Sequence, residues 1–266
     1  LALHRAGLEL RVLSIVGLVV AIGLVWPSVA GYYTDWLWFE ETGYQQVFAT
    51  SILTRVGLGA AVALAAFLLL FGNFRLALRR FEDPYIDLGL SPADGTPIVL
   101  QRRGVSYLVS LVSALGAAVA GMLASSHWMD WLQFRHATSF GDRDPIFGRD
   151  VAFYVFQLPW YSFVRDVLLG ILMFAIAGST LIYLLPGRSS GAAGPLSALR
   201  GARRHLSLLA AAILLLLGAG TWIEGFSLMN SPAGIIQGAT YADVTAQLPA
   251  LRLLGVAAAV GAVMAL

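Results

Sequence analysis

The sequence predicts an all-α fold: a polytopic transmembrane helix bundle of about six spans, with interfacial helices in the outer loops. Three observations carry that prediction. The intervals 12–34, 56–74, 104–129, 167–187, 206–223 and 253–266 contain no Asp, Glu, Lys or Arg. A bilayer core roughly 30 Å thick is crossed by about 20 apolar residues of helix, and these runs have that length or reach the chain end. The chain is 58% hydrophobic and 12% charged, against about 25% charged for a soluble domain, and its mean hydropathy is +0.77. The third observation is the placement of charge.

With the N-terminus inside, the inner segments hold 11 Arg and five acids, and the outer segments six Arg and ten acids. Basic loops stay cytoplasmic, so the bias predicts a multi-pass protein of the bacterial cytoplasmic (inner) membrane with a cytoplasmic N-terminus. One bundle over 1–266 follows, with spans of about 12–32, 54–74, 105–126, 165–186, 206–223 and 250–266. Outer loops then cover 33–53, 127–163 and 224–249, and inner loops 75–104 and 187–205. Ser28-Val29-Ala30 has the small-residue pattern of a signal-peptidase site. The preceding segment is nevertheless expected to be retained as a signal anchor or first span.

Three of the spans are expected to pack through small residues, because lipid tails are as apolar as Leu and helices associate by close approach. Gly57, Ala61 and Ala65 share a face of the second span. Ser113, Ala117 and Gly121 do so on the third, and Ala257, Gly261 and Ala265 on the sixth. Pro27 is expected to kink or end the first.

The loops differ in texture. Inner loops are polar and turn-rich, as in Ser91-Pro92-Ala93-Asp94-Gly95. Outer loops are aromatic: Trp36, Trp38, Phe39, Tyr44 and Phe48 in the first, and Trp128, Trp131, Phe147, Phe153 and Trp160 among others in the second. Amphipathic rings favour the headgroup layer, so short interfacial helices are expected over 35–50 and 128–163. An ordinary aromatic belt is one reading. A partner-docking face built on Trp36, Trp38, Phe39, Tyr44, Trp128, Trp131, Phe147, Phe153 and Trp160 is the other.

Chemistry is sparse. Ionisable groups inside a membrane are costly and mark transport paths or catalysis, yet the six charge-free intervals carry no carboxylate or Arg. Their one His is His127, near an outer end; His4, His136 and His205 fall outside them. A haem or chlorin would need an axial ligand at mid-span, so no cofactor is expected. Without Cys, neither a disulfide nor a thiolate site exists. Asp142, Asp144 and Asp150 lack EF-hand spacing and read as a surface turn held by ion pairs to Arg143 and Arg149. No metal site is expected. Arg165-Asp166 reads as a local ion pair. Glu224 and Asp243 would form a paired-carboxylate site only if the fold joined them. No nucleotide loop, nucleophile elbow or His-Glu-x-x-His motif is present, so no enzyme and no catalytic residue is predicted. The short inner Arg clusters argue against nucleic acid and are better explained by topology and anionic lipid headgroups.

Three segments carry a resemblance. They are Tyr33-Thr34-Asp35-Trp36-Leu37-Trp38-Phe39 with Gly43-Tyr44 and Val47-Phe48; Asp144 through Pro159; and Gly238-Ala239-Thr240-Tyr241-Ala242-Asp243-Val244 with Leu248-Pro249-Ala250. In this order they resemble the bacterial Uncharacterised Protein Family 0182. The resemblance implies a multi-spanning membrane protein, typically with seven helices and then a large extracytoplasmic domain. It brings no established activity, so no catalytic residue is carried over.

The function expected is therefore a non-catalytic scaffolding subunit of a larger membrane complex: respiratory, photosynthetic or envelope. Its partners would be the bilayer and other membrane subunits docking on the aromatic loops or spans. The rival is a transporter or channel for a lipid or other apolar cargo. An intramembrane enzyme ranks third, and polar groups converging near Glu224, Asp243 or His127 would revive it.

Overall fold

The computed structural model describes residues 23, 26–79, 85–87, 99–185, 194–231 and 238–266. Much of the first predicted span and parts of both inner loops lie outside them. Five described helices are long and apolar enough to cross a membrane. They carry the all-α bundle that the sequence predicts.

Residues 1–54 and 55–266 form separate compact units. In the first, helix α1 (26–41) runs well into the expected loop. It stops at Gly43, whose φ of 77° only glycine adopts at low cost. The Gly43 N–H donates to Glu40 O (3.1 Å) and the Tyr44 N–H to Phe39 O (2.8 Å). This pair of bonds is a Schellman cap. Helix α2 (Gln45–Leu78) starts directly after it. The expected loop 33–53 is therefore two helices and a tight turn.

The second unit contains most of α2, α3 (Arg102–Ser126), α4 (Trp128–Arg135), α5 (Leu158–Leu184), α6 (Gly194–Ser227) and α7 (Leu248–Ala265). The helices overrun the charge-free intervals; α6 begins twelve residues before 206. Arg favours helix, and a backbone leaving the apolar layer keeps its hydrogen bonds by staying helical. Charge therefore marks the apolar layer and not the helix ends. Strands β1 (Tyr85–Asp87) and β2 (Val99–Gln101) pair antiparallel, with Tyr85 opposite Gln101. That ribbon falls within the expected inner loop.

The main core joins Ala66, Leu70 and Phe74 of α2, Val105, Val109 and Ala117 of α3, Ile171, Ala175 and Ile182 of α5 and Leu209 of α6. On α3 the small-residue face is the one expected: Ser113, Ala117 and Gly121 are buried. On α2 it is not. Gly57, Ala61 and Ala65 are exposed, and Gly59 meets Gly121 instead: a Cβ built on Gly59 would lie 3.0 Å from Gly121 O. On α7, Ala257 is exposed while Leu251, Gly255 and Ala262 are buried. In an Ala/Gly-rich helix several stripes look alike, and the large neighbours Leu70, Phe74 and Leu251 decide which one turns inward.

Helices α5 and α7 both pack on α6 and begin alike. Each is preceded by a widened π turn, Phe153–Gln157 and Asp243–Gln247. In these turns the Leu158 N–H donates to Phe153 O and the Leu248 N–H to Asp243 O. Each turn leads into Gln-Leu-Pro, at 157–159 and 247–249. Proline lacks an N–H and crowds the carbonyl four residues back, here Val155 or Thr245, and a wider turn relieves that clash. A cap stands nine residues before each proline: Asp150 and Thr240. Asp150 Oδ1 accepts the Ala152 N–H at 2.8 Å. Thr240 Oγ1 accepts the Asp243 N–H (3.2 Å), and Asp243 Oδ2 accepts the Thr240 N–H (2.8 Å). The second pair is a reciprocal capping box.

Candidate functional site

The connection from α4 to α5 folds back on itself around two carboxylates. Pro145 presets the turn after Asp144, and Gly141 and Gly148 take positive φ. The Asp144 carboxylate accepts the N–H groups of Ile146 (2.9 Å), Phe147 (2.6 Å) and Arg149 (2.8 Å) and the Tyr154 hydroxyl (2.8 Å). Asp150 accepts the N–H groups of Phe140, Gly141 and Ala152 and the Ser139 hydroxyl. Two backbone bonds close the knot: Asp144 N–H to Arg149 O and Val151 N–H to Asp142 O.

Burial opposes charge on Asp144, but the Phe147 N–H, the Tyr154 hydroxyl and the Arg149 and Ile146 N–H groups outweigh it and hold its pKa below the usual value. The Ser139 hydroxyl and the Ala152 N–H, followed by Phe140 and Gly141, lower Asp150 to about 2. Both carboxylates are structural acceptors. The expected ion-pair turn is thus corrected: backbone N–H groups hold it, and Arg149 lies over the rings of Phe153 (5.0 Å) and Phe226 (5.7 Å).

Aromatic rings fasten this knot to the bundle. Phe147 packs on Phe226 (4.8 Å), as does Phe153 (5.1 Å). Tyr161 connects Phe153 to Phe134, and Trp160 packs against Trp131 (5.0 Å), Phe134 and Phe163. Of the nine expected docking residues, Trp131, Phe147, Phe153 and Trp160 belong to this one lattice, with Phe153 buried. Trp128 lies beside it under the Arg55 guanidinium at 4.7 Å. Trp36, Trp38, Phe39 and Tyr44 belong to the first unit. There Phe48 gathers Trp36 (5.7 Å) and Phe39 (5.4 Å), while Trp38 and Tyr44 are exposed.

His127 places Nδ1 2.6 Å from Asp130 Oδ2 and stacks on Phe163 at 4.2 Å. Arg165 pairs with Asp166 at 2.9 Å, as expected. Glu224 is exposed on α6 and Asp243 is engaged in its cap; no hydrogen bond or ion pair joins them. Below the lattice a groove of about 850 Å³ opens between α3 and α5 over Leu70, with His127, Asp130, Ser162 and Asp166 at one end.

Sequence reasoning missed a polar triad. His205 lies inside α6, its Nε2 2.8 Å from Asn73 Oδ1 and its Nδ1 3.0 Å from the Tyr183 hydroxyl. Asn73 Nδ2 donates to Leu69 O (2.7 Å), so its Oδ1 faces the imidazole and His205 carries the proton on Nε2. Arg203 and Arg204 beside it had marked the position as loop. The arginines at the far ends of α2 and α3 also converge, around a cavity of about 800 Å³.

Long apolar helices, small-residue crossings and an aromatic end define a multi-span helical membrane protein. The chain matches the Uncharacterised protein family (UPF0182) over residues 12–266. It belongs to that family. It is 34% identical over 245 residues to a UPF0182 protein of Pelotomaculum thermopropionicum, covering 85% of this chain and 26% of the relative. A Moorella thermoacetica member is 33% identical over 272 residues, covering 94% and 28%. A Mycobacterium tuberculosis member is 34% identical over 253 residues, covering 92% and 25%. The chain thus spans about a quarter of the length of these relatives. No solved structure matches it.

Proposed function

We propose that the protein is a non-catalytic structural subunit that scaffolds a larger assembly in the bacterial cytoplasmic membrane, its N-terminus cytoplasmic and its aromatic end outside. The charge asymmetry supports the orientation. One observation carries the role: the knot at 139–154 is pre-ordered by its two carboxylates and leaves Phe140, Ile146 and Val151 exposed, with Val155 exposed just after it. A fixed apolar rim loses little entropy when a partner covers it. Purification of the full-length protein in mild detergent tests this reading. The expected result is a second membrane subunit at fixed stoichiometry, lost in a Phe140→Ser/Ile146→Ser variant. A monodisperse monomer with nothing co-purifying would refute it.

The groove between α3 and α5 favours a second reading, a carrier of lipid or another apolar cargo. It predicts flux in liposomes that Gly170→Trp, filling the open wall of the groove, abolishes.

A further inference from the structure

At the end opposite the aromatic lattice, the last turn of α2 carries Arg75, Arg79 directly follows the helix, and α3 starts with Arg102 and Arg103. The β1–β2 ribbon ends at Gln101, directly before α3. All four arginines line the cavity of about 800 Å³, together with Leu78, Gln101 and Ser106. Among the described side chains no carboxylate pairs with any of them; the two ion pairs found there are His127–Asp130 and Arg165–Asp166. Arg75 rests over the Phe71 ring at 5.5 Å, which steadies its guanidinium.

Four like charges around one cavity repel one another. The start of α3 adds to the excess. Its first turn has no acidic residue and Gln101 supplies no side-chain cap. Arg at this end also opposes the helix macrodipole, which favours anions there. Among the described lining residues every polar side chain can donate a hydrogen bond. An anion suits this lining, and the guanidinium fork matches phosphate oxygens.

The surroundings specify its source. The cavity lies at the ends of two candidate spans, and Leu76, Tyr107 and Leu108 are exposed beside it. A phosphodiester in the cavity could lay acyl chains along those side chains, which a soluble phosphate would leave uncovered. We propose that this cavity binds the headgroup of one anionic phospholipid. The site stands independently of the scaffolding role.

Native mass spectrometry of the full-length protein, delipidated and titrated with phosphatidylglycerol, phosphatidylcholine or inorganic phosphate, tests it. One phosphatidylglycerol should bind in preference to phosphatidylcholine. Arg102→Gln/Arg103→Gln should weaken it roughly 30-fold, about fivefold per guanidinium. Arg203→Gln/Arg204→Gln removes the same charge from α6 outside the cavity and should change binding less than threefold. If the first variant fails to fold, Arg102→Lys/Arg103→Lys keeps the charge but loses the fork, and should still weaken binding several-fold. Equal losses in the α6 and α3 variants, unchanged binding in the Lys variant, or no preference over phosphatidylcholine would overturn the proposal. Occupancy by inorganic phosphate that excludes phosphatidylglycerol would overturn the lipid assignment.

Discussion

Replacing Gly121 by Ala tests the α2–α3 crossing directly. The added methyl would lie 2.7 Å from Gly59 O and 2.8 Å from Ala63 Cβ. Carbon atoms sit comfortably at about 3.5–4.0 Å, so the helices must separate by roughly 0.7–1.2 Å at that point. The first obstacle is backbone, which no rotamer change can move. A gap of that size forfeits about a quarter to a half of each dispersion contact across the seam. The expected cost is about 1–3 kcal/mol, partly offset by up to about 1 kcal/mol from the better helix propensity of Ala. Gly57→Ala is the matched control: the same change on α2, the other helix of the crossing, but with nothing within 4 Å of the new methyl. Thermal unfolding of the full-length protein in detergent, followed by circular dichroism, should place Gly121→Ala below wild type and Gly57→Ala at or above it. If Gly121→Ala is as stable as Gly57→Ala, the close crossing is wrong.

Asp144→Ala should strand the Ile146, Phe147 and Arg149 N–H groups and lower the local opening energy by about 1–3 kcal/mol, seen as faster amide exchange over 144–154. Asp150 titrates at about 2 and Asp144 below 3.8. Depressed carboxylates stabilise above the unfolded value near 3.8 and lose that contribution as pH falls through the folded one. Exchange in the knot should therefore be flat from pH 7 to 5, after correction for intrinsic rates, and accelerate below about 4. Asn73→Ala should remove the acceptor of the His205 Nε2–H and cost about 0.6–1.7 kcal/mol, measured by the same melts. Thr240→Ala should cost about 1 kcal/mol through the lost cap, with faster exchange confined to the start of α7.

The five long apolar helices were legible because a bilayer imposes a minimum length and a low charge on any helix that crosses it, and both are properties of sequence alone. What packs against what was only half legible. The α3 face was readable since Ser113, Ala117 and Gly121 lie between large residues; on α2 the partner of Gly121 was Gly59, two residues from the expected stripe. The aromatic loop was recognisable as a feature, but its internal order was not. Backbone N–H groups hold Asp144 and Asp150, and every residue except proline has one. Ser139 and Tyr154 approach those carboxylates from eleven residues before and ten residues after their respective partners, a spacing with no local signature. His205 was hidden by its charged neighbours.

The widened turns ahead of α5 and α7 make the aromatic end sensitive to counting. A π turn holds one residue more than the helix around it needs, and one residue corresponds to about 100° of rotation about the axis. Losing any single residue from Phe153–Gln157 could restore regular pitch below Pro159 without disturbing the membrane-facing pattern. It would also swing Asp150 and everything it grips away from Phe226 and toward a different neighbour. The azimuth of the knot is thus set by chain length and not by contact strength. Point substitutions should loosen the loop, whereas a one-residue deletion should re-aim it.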